Sequence, residues 1–549
     1  MPPETSPAPP WSPAAALRRD WPWLALMAVA IAVVRLHTLD EPLERDLTIY
    51  MTIADGWLHG LAPYTGLWDH KPPGTFAFYT VFAALFGTGA VAFYAMGLAA
   101  SLVTLAGCHA AGTVMGGRTG GLVAALAWTV VGGDLLTQSN QPNTEVFINA
   151  CLVWVVAIVA LDARGRIGLG WFALAGGLVF VASACKQVAV TVPVAVFLAH
   201  LAITAAAGRP WRDAVAKAAV GAAVAAAGWV AMVAAFAATG TLDAFVEAVF
   251  DYNRGYAGDL AGNLGAGLVG TTLLAPSAFP FVPLLFAGLG FALWGLVRRD
   301  QRAMASILLL WLVGTWFAVV LPGRFFAHYL QFWLPPLAVA AGWIAATGGG
   351  DGAAWRTARA CVVSCCLFLP GMLQVLQHLR NWHPIAIAEF KYGIHGAESE
   401  ETRQMAPWIA AHLPPGGRLY HWGSEPGVYL WSGRRPYLRF VHGFPLLQQF
   451  TARPDLTARY VEEVLAGLEK APPDLIVGRL SYLQFDHPVT RWIAARYLRV
   501  PGPPGVELYA FLVPRPSTPP PPPAPAAAPG EPVPPGDAEG PVAPVPPGD

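Results

Sequence analysis

The sequence predicts an all-α polytopic membrane protein with about eleven transmembrane helices and a small α/β domain near its C-terminus. Hydrophobic residues make up 55% of the 549 residues and charged residues only 12%, as is typical of membrane proteins. Apolar runs of about 17 to 26 residues, long enough to cross a ~30 Å hydrocarbon core as helices, recur along the first two thirds of the chain. After about residue 377 the composition changes to that of a small α/β domain.

Each apolar run predicts one transmembrane helix. The runs lie near residues 21–39, 90–114, 119–137, 145–161, 168–184, 188–204, 214–238, 271–297, 303–321, 327–347 and 358–377. A shorter apolar segment, 74–87, follows Pro72-Pro73, and prolines suit the first turn of a helix. It is too short to cross, so we expect a helix that lies at the outer interface or dips partway into the membrane.

The arginines support this count, because positively charged residues in short loops stay on the cytoplasmic side. Arg18 and Arg19 precede the first span. Every second connection between the predicted helices then contains arginines, namely Arg118, then Arg164 and Arg166, then Arg209 and Arg212, then Arg298, Arg299 and Arg302, then Arg356 and Arg359. The alternation predicts a cytoplasmic N-terminus, outer loops at 46–71, 138–144, 243–263 and 322–326, and an extracytoplasmic C-terminal domain. No small-residue cleavage site follows the first helix, so we interpret that helix as an uncleaved anchor.

The predicted organisation has four parts. A cytoplasmic disordered segment (1–20) precedes a transmembrane module (21–378) whose first outer loop covers 40–89. An extracytoplasmic α/β domain (379–513) follows, and a Pro-rich tail (514–549) cannot bury apolar surface and is expected to be disordered.

Within the α/β domain, the patterns predict three strands and two helices. The strands lie at 417–422, 474–478 and 506–513, and the helices at 456–470 and 489–496. Helices that connect strands favour a partly parallel sheet.

Composition and motifs exclude several functions. Lys+Arg and Asp+Glu are both 34, so no excess positive charge is present to bind nucleic acid. All six cysteines lie in apolar runs, which indicates small core residues and no disulfide framework. The sequence has no phosphate-binding G-x-x-x-x-G-K-[ST] loop, no H-E-x-x-H and no paired C-x-x-C, so an ATP-driven transporter is not expected.

The first outer loop has the densest group of polar residues. It contains Glu44-Arg45-Asp46, then Tyr50, Gly60, Pro63-Tyr64 and the run from Trp68 to Gly74. A helix that starts here would carry Asp46 and Tyr50 on one face, since they are four residues apart. Charges at the membrane edge usually have a partner or a function. The alternative is that Glu44 and Asp46 only cap or solvate a surface helix.

These motifs resemble a known family. The pattern R-D-x-x-x-Y, then G-x-x-P-Y and K-P-P-G, is similar to the first outer loop of the GT-C glycosyltransferases. The branch includes the protein O-mannosyltransferases, the lipid A aminoarabinose transferase and bacterial members like glycosyltransferase family 39. The resemblance extends from the first span to residues 324–329 and implies a GT-C-like membrane fold.

The resemblance also implies roles for particular residues. Asp46 matches the acidic residue that acts as, or positions, the catalytic base, and Glu145 matches a second acidic residue that opens the fourth span. Lys71 matches the lysine that approaches the lipid-linked phosphate. The family usually has Asp-Glu where this chain has Asp46-Leu47, which leaves Asp46 and Glu145 as the catalytic pair.

Further substrate-binding candidates are polar residues near the outer ends of the spans: Tyr50, His70, Lys186, Arg254, Arg324 and His328. Lys186 could instead reach water without any function. Asp69 and His70, with Glu44 or His328, could hold a divalent cation, but their spacing is no known ligand pattern, and no cofactor or metal is expected to be required. Aromatic residues near span ends suggest an interfacial belt: Trp21, Trp23, Trp57 and Trp68.

The leading hypothesis is a hexosyl or pentosyl transferase in the bacterial inner membrane. It would move a sugar from a polyprenyl-phosphate donor to an acceptor hydroxyl of a glycan, lipid or protein on the outer face, with inversion and Asp46 as general base. A transporter or flippase for a lipid-linked or anionic substrate is one alternative, although no internal repeat supports it. The other is a non-catalytic membrane scaffold. No site residue is predicted in the α/β domain.

Overall fold

Helices form the first two thirds of the chain, as the apolar runs predict. The computed structural model describes residues 13–165, 167–270, 277–347, 352–447 and 453–516. In this region the helices are α1 (Pro13–Val34), α2 (Arg45–Leu58), α3 (Pro73–Phe86), α4 (Ala90–Val131), α5 (Thr144–Arg164), α6 (Leu169–Cys185), α7 (Thr191–Ala206), α8 (Trp211–Ala238), α9 (Leu242–Val246), α10 (Asn253–Ala257), α11 (Leu260–Leu268), α12 (Val282–Val297), α13 (Arg302–Val320), α14 (Leu334–Ala346) and α15 (Ala353–Arg380).

A helix coincides with every predicted span, which confirms the polytopic all-α class. Within the described residues, eight helices are long and apolar enough to cross a membrane. One of them, α4, contains two predicted spans, because its backbone reverses at Gly116 and Gly117, where Gly117 has φ of 67°. Glycine accepts such a positive φ without strain. The two remaining predicted spans correspond to α1 and to the shorter apolar helix α6.

The first helix begins earlier than the sequence predicts. We expected disorder to residue 20, but α1 starts at Pro13. Asp20 explains the difference, because its buried carboxylate accepts from Arg118 Nε at 2.8 Å and lies 3.1 Å from His109 Nε2. These contacts hold the first turns of α1 against α4. The remainder of the predicted N-terminal segment, and most of the Pro-rich tail, lie outside the described residues.

The C-terminal region is the α/β domain that the sequence predicts. Its elements are α16 (Pro384–Tyr392), α17 (Ile394–His412), β1 (Leu419–Trp422), α18 (Gly427–Ser432), α19 (Pro454–Lys470), β2 (Leu475–Arg479), α20 (Leu480–Leu483), α21 (Pro488–Arg496), β3 (Tyr497–Val500) and β4 (Tyr509–Pro514). The sheet order is β1-β2-β4-β3, with β1 parallel to β2 and the other pairs antiparallel. The sequence did not indicate β3, because this four-residue strand follows α21 with no turn residues between them.

The α/β domain is fastened to the loops at one end of the transmembrane helices, which we call the outer end after the predicted topology. Lys391 on α16 has no exposed side-chain surface, and its Nζ lies 2.5 Å from Glu41 and 2.8 Å from Asn140. The Trp68 amide donates to the Arg439 carbonyl at 2.7 Å. Trp68 is 1% exposed, so its prediction as an interfacial belt residue is wrong.

The orientation of the helices can be tested by labelling single cysteines. Cys361 and Cys365 are exposed and must first be replaced. We expect His59→Cys, just after α2, to react with a membrane-impermeant maleimide in intact cells, because the predicted topology places it outside. Arg298→Cys, after α12, should react only after permeabilisation. Equal labelling of both positions in intact cells would contradict the topology.

Candidate active site

Helix α2 positions Asp46. The Glu44 side chain caps the helix by accepting the Asp46 amide N–H at 2.8 Å, which fixes the first turn. Asp46 lies in that turn and lines a cavity of about 480 Å³. Tyr50, one turn later, is 1% exposed and lies beneath Lys71, whose Nζ is 5.9 Å from the centre of the tyrosine ring.

The cavity lies between the outer end of the helices and the α/β domain. Its polar wall includes residues from the first outer loop, from the segment before α14 and from the segment after α18, namely Asp46, Asp69, His70, Lys71, His328 and His442. Aromatic rings from Tyr252, Tyr256 and Tyr482 contribute to the same wall. The arrangement offers both signs of charge and several stacking surfaces in one enclosed space.

The K-P-P-G segment brings Lys71 close to the residues that follow α6. Pro73 opens α3 at a position where a missing N–H costs nothing. Gly74 allows a close approach, because a Cβ at this position would lie 2.6 Å from the Ala184 carbonyl oxygen. The end of α6 and the start of α3 therefore touch through their backbones, two residues from Lys186 and three from Lys71.

Asp46 and Lys71 stabilise each other's charged forms. Burial raises the pKa of the Asp46 carboxyl, but the ammonium of Lys71 and other nearby cations outweigh it and lower the pKa to about 2. Burial lowers the pKa of Lys71, but Asp69 and Asp46 more than compensate, so the pKa is raised. At neutral pH the cavity therefore contains a carboxylate and an ammonium group.

His70 orients Lys71. Burial, followed by the charge of Lys71, lowers the pKa of His70 well below its usual range, so the imidazole is neutral. The Lys71 Nζ lies 3.0 Å from Nε2, which must act as acceptor, and Nδ1 lies 2.8 Å from the Asn253 amide oxygen and can donate to it. Asn253 also donates to the His70 carbonyl at 2.7 Å.

Glu145 and Lys186 form a pair behind the cavity wall. The Lys186 Nζ donates to Glu145 Oε1 at 2.8 Å, and the Thr144 hydroxyl donates to Oε2 at 2.8 Å. Lys186 also lies 3.3 Å from the centre of the Tyr329 ring, which lines the cavity. Glu145, which the resemblance makes the catalytic partner of Asp46, is fully buried and does not line the cavity.

The two candidate arginines lie farther from the cavity. Arg324 donates to the Tyr256 carbonyl at 2.7 Å, and its guanidinium lies 4.3 Å from the centre of the Tyr256 ring, so it supports a wall residue. Arg254 is exposed and does not line the cavity. The structure therefore gives no support to Arg254 as a phosphate ligand.

Several wall residues were missed by the sequence analysis. Arg45 was quoted without a role, and Lys391, His442, Arg479 and Tyr482 come from the α/β domain, where no site was predicted. Each of these four domain residues stands alone in the sequence, outside any recognisable motif. Their presence in the cavity depends on how the domain docks, which no local pattern shows.

The residues considered for a cation site do not assemble. Asp69, His70, Glu44 and His328 do not bring three ligand atoms together, and within the described ranges the one such group is His395, Glu398 and Glu425, whose ligand atoms lie within 4.8 Å of one another. Glu398 in that group already forms an ion pair with Arg479.

Fold and cavity together define a class, namely polytopic membrane proteins with a charged cavity beneath a C-terminal α/β domain. No family model and no curated protein match the sequence. Solved structures do match it. ArnT from Cupriavidus metallidurans, bound to undecaprenyl phosphate, has a TM-score of 0.56 at 15% identity, over 89% of this chain and 98% of that one.

Two archaeal structures match as well. AglB from Archaeoglobus fulgidus, an oligosaccharyltransferase in complex with an inhibitory peptide and a dolichol-phosphate, has a TM-score of 0.52 at 12% identity, over 84% of this chain and 70% of that one. An oligosaccharyltransferase from the same organism, in complex with Zn and sulfate, has a TM-score of 0.50 at 12% identity, over 83% and 68%. The chain therefore shares its fold with ArnT and these oligosaccharyltransferases, which confirms the GT-C-like fold that the resemblance implied.

Proposed function

We propose that the protein is a hexosyl or pentosyl transferase of the bacterial inner membrane that uses a polyprenyl-phosphate sugar. The acceptor is a hydroxyl group of a glycan, lipid or protein at the outer face. The observation that carries the proposal is the placement of the Asp46 carboxylate and the Lys71 ammonium on one cavity wall of a GT-C-like fold. Neighbouring structures hold undecaprenyl phosphate or dolichol-phosphate, which supports a lipid-linked donor.

The reaction is a single displacement at the anomeric carbon. The acceptor oxygen forms the new bond while the bond from the anomeric carbon to the phosphate oxygen breaks, and the phosphate leaves with the bonding electrons. This inverts the anomeric configuration. Lys71 holds the phosphate and stabilises its charge, with His328 on the same wall. Asp46 accepts the proton of the acceptor hydroxyl.

A carboxylate with a low pKa suffices as this base. The hydroxyl becomes strongly acidic as its oxygen bonds to the electron-poor anomeric carbon, so the proton can pass late to a weak base. A bound phosphate would also neutralise part of the charge of Lys71. Because Lys71 is the leading cause that lowers the pKa of Asp46, the bound donor raises the basicity of Asp46 before the transfer.

Two apolar grooves on either side of α3 suit the lipid chain. One, of about 540 Å³, is lined by Pro73, Gly74 and Phe180 and lies between α3, α6 and α8. The other, of about 890 Å³, is lined by Phe78, Phe147 and residues farther along α4, α5 and α6. The first groove begins at Pro73, two residues after Lys71, so a prenyl chain in it could deliver its phosphate to the ammonium group.

The structure does not favour the transporter alternative. A transporter needs a polar path across the membrane, lined by groups that replace water. The polar cavity lies at one end of the helices, while the groove along α4, α5 and α6 has an apolar lining.

The other candidate residues have supporting roles in this proposal. Tyr50 and His70 position Lys71. Lys186 positions Tyr329, and Arg324 positions Tyr256.

Replacing Lys71 should weaken the binding of the lipid phosphate. Lys71→Ala removes the ammonium that we assign to the phosphate, and a hydrogen bond between charged groups contributes about 1.5–3 kcal/mol, or roughly ten- to a hundredfold in affinity. The measurement is the Kd of undecaprenyl phosphate for the protein in nanodiscs. Lys470→Ala, at the exposed end of α19, removes the same charge elsewhere and should bind normally. An unchanged Kd for Lys71→Ala would contradict the proposal.

A further inference from the structure

Three buried side chains on the cavity wall have polar atoms without a hydrogen-bond partner among the described residues. They are Nε1 of Trp68, Oδ2 of Asp69, and both ring nitrogens of His442. Their residues are 1%, 3% and 5% exposed. A buried polar atom left unpaired costs about 1–3 kcal/mol, so a group of them on one wall indicates a ligand that satisfies them.

The backbone holds these groups in place independently of any ligand. The Trp68 amide bonds to Arg439, three residues before His442, and the rings of Trp68 and His442 have centres 6.3 Å apart. Asp69 uses its Oδ1 to accept the His70 amide at 2.6 Å, which leaves Oδ2 for another partner. The first outer loop and the α/β domain thus supply one face each of a preformed polar recess.

The chemistry of the recess suits hydroxyl groups. Trp68 offers one donor. Burial lowers the pKa of His442 to about 3, so its neutral ring offers one donor and one acceptor. Burial raises the pKa of Asp69 to about 6, so at neutral pH it is an acceptor that repels anions. Sugar hydroxyls both donate and accept, so the hydroxyl groups of one sugar ring can satisfy all three side chains.

We propose that Trp68, Asp69 and His442 form a subsite for the hydroxyl groups of an uncharged sugar ring. The inference rests on the proposed function and deepens it, because the subsite adjoins Lys71 and so lies where a sugar linked to the bound phosphate would reach. Two sources share this chemistry, namely the sugar of the donor and a sugar of the acceptor.

The test compares lipids with and without a sugar on the full-length protein in nanodiscs. The probes are undecaprenyl phosphate and the same lipid carrying mannose, glucose or galactose. We expect the wild type to bind at least one glycosylated lipid more tightly than the bare lipid. Asp69→Asn and His442→Phe should each reduce this preference about fivefold or more, because each removes a hydrogen bond to the sugar. The preference is the ratio of the two Kd values of the same variant, so an effect of Asp69 on the binding of the phosphate cancels.

Matched controls are Asp474→Asn and His412→Phe, which change the same residue types at exposed positions of the α/β domain and should keep the preference. Asp69→Asn keeps the size of the side chain and the acceptor for the His70 amide, so its fold is expected to be intact. A melting temperature equal to that of the wild type verifies this for each variant.

The outcomes separate the subsite from the proposed function. If the variants keep the wild-type preference, the subsite is overturned while the proposed function stands. If no lipid probe binds the wild type, the proposed function fails. A methyl hexoside is also added to protein that is loaded with the bare lipid. If it binds saturably and both variants lose this binding, the subsite is supported and the sugar that it binds is that of the acceptor. Zn²⁺ binding that both variants lose, without any sugar preference, overturns it in favour of a cation site.

Discussion

Asp46→Asn is expected to lower the rate of sugar transfer by about 10² to 10⁴, the usual contribution of a general base. Asparagine has the same size, and Glu44 can still cap α2 through the backbone amide at position 46, so the helix start is preserved. What is lost is the group that accepts the proton. The measurement is transfer from a radiolabelled polyprenyl-phosphate sugar in membranes with equal amounts of wild type and variant.

Asp55→Asn is the matched control. Asp55 lies on the same helix α2, but it is partly exposed and pairs with His59 and Arg435 outside the cavity. This variant should transfer sugar at close to the wild-type rate. If Asp46→Asn also transferred at that rate, Asp46 would have no role as base, and the scaffold alternative would regain support.

Lys186→Met should destabilise the protein by about 3–5 kcal/mol, because it leaves the buried Glu145 carboxylate without its cation. Among the described residues, Glu145 would retain the hydrogen bond from the Thr144 hydroxyl. Methionine has a similar length, so it fills the space of the lysine side chain while it removes the ammonium that lies over the Tyr329 ring. The expected result is a lower melting temperature and less monodisperse protein on size exclusion in mild detergent.

The double variant Glu145→Gln/Lys186→Met identifies the cause. It removes both charges, so most of the stability that Lys186→Met loses should return. If the two substitutions acted independently, their effects on stability would add instead. If Lys186→Met alone is as stable as the wild type, the lysine has no structural role and merely reaches water at the interface. Activity of a stable double variant would show that Glu145 acts through the fold and not in the chemical step.

The membrane helices were predictable because the bilayer imposes a minimum length and an apolar composition. Even the reversal within α4 follows from its sequence, since Arg118 separates two apolar runs beside Gly116 and Gly117. The start of α1 was not predictable, because residues before Asp20 are helical only through a contact with α4. Tertiary contacts decide such boundaries.

The site was predictable only in part. Asp46 and Lys71 could be chosen from the sequence because charges next to apolar runs are rare and carry a recognisable motif, and the structure brings them to one wall. The sequence could not show that Glu145 is buried behind Tyr329 or that Arg254 is exposed, because both depend on how the helices pack. His442 and Arg479 have no motif, and only the docking of the α/β domain brings them to the cavity.

The contact of Lys391 with Glu41 and Asn140 has a consequence for engineering, because it holds the C-terminal domain at a fixed place beside Asp46 and Lys71. In a chimera, the transmembrane helices of this protein would be joined near Asn381, between α15 and α16, to the α/β domain of a related protein. The part of the cavity wall that the domain provides would then change, while the first outer loop would still provide Asp46 and Lys71. If such a chimera retains Glu41, Asn140 and Lys391, and if the proposed function holds, its choice of acceptor should follow the parent of the α/β domain. The release of the phosphate should follow the parent of the transmembrane helices.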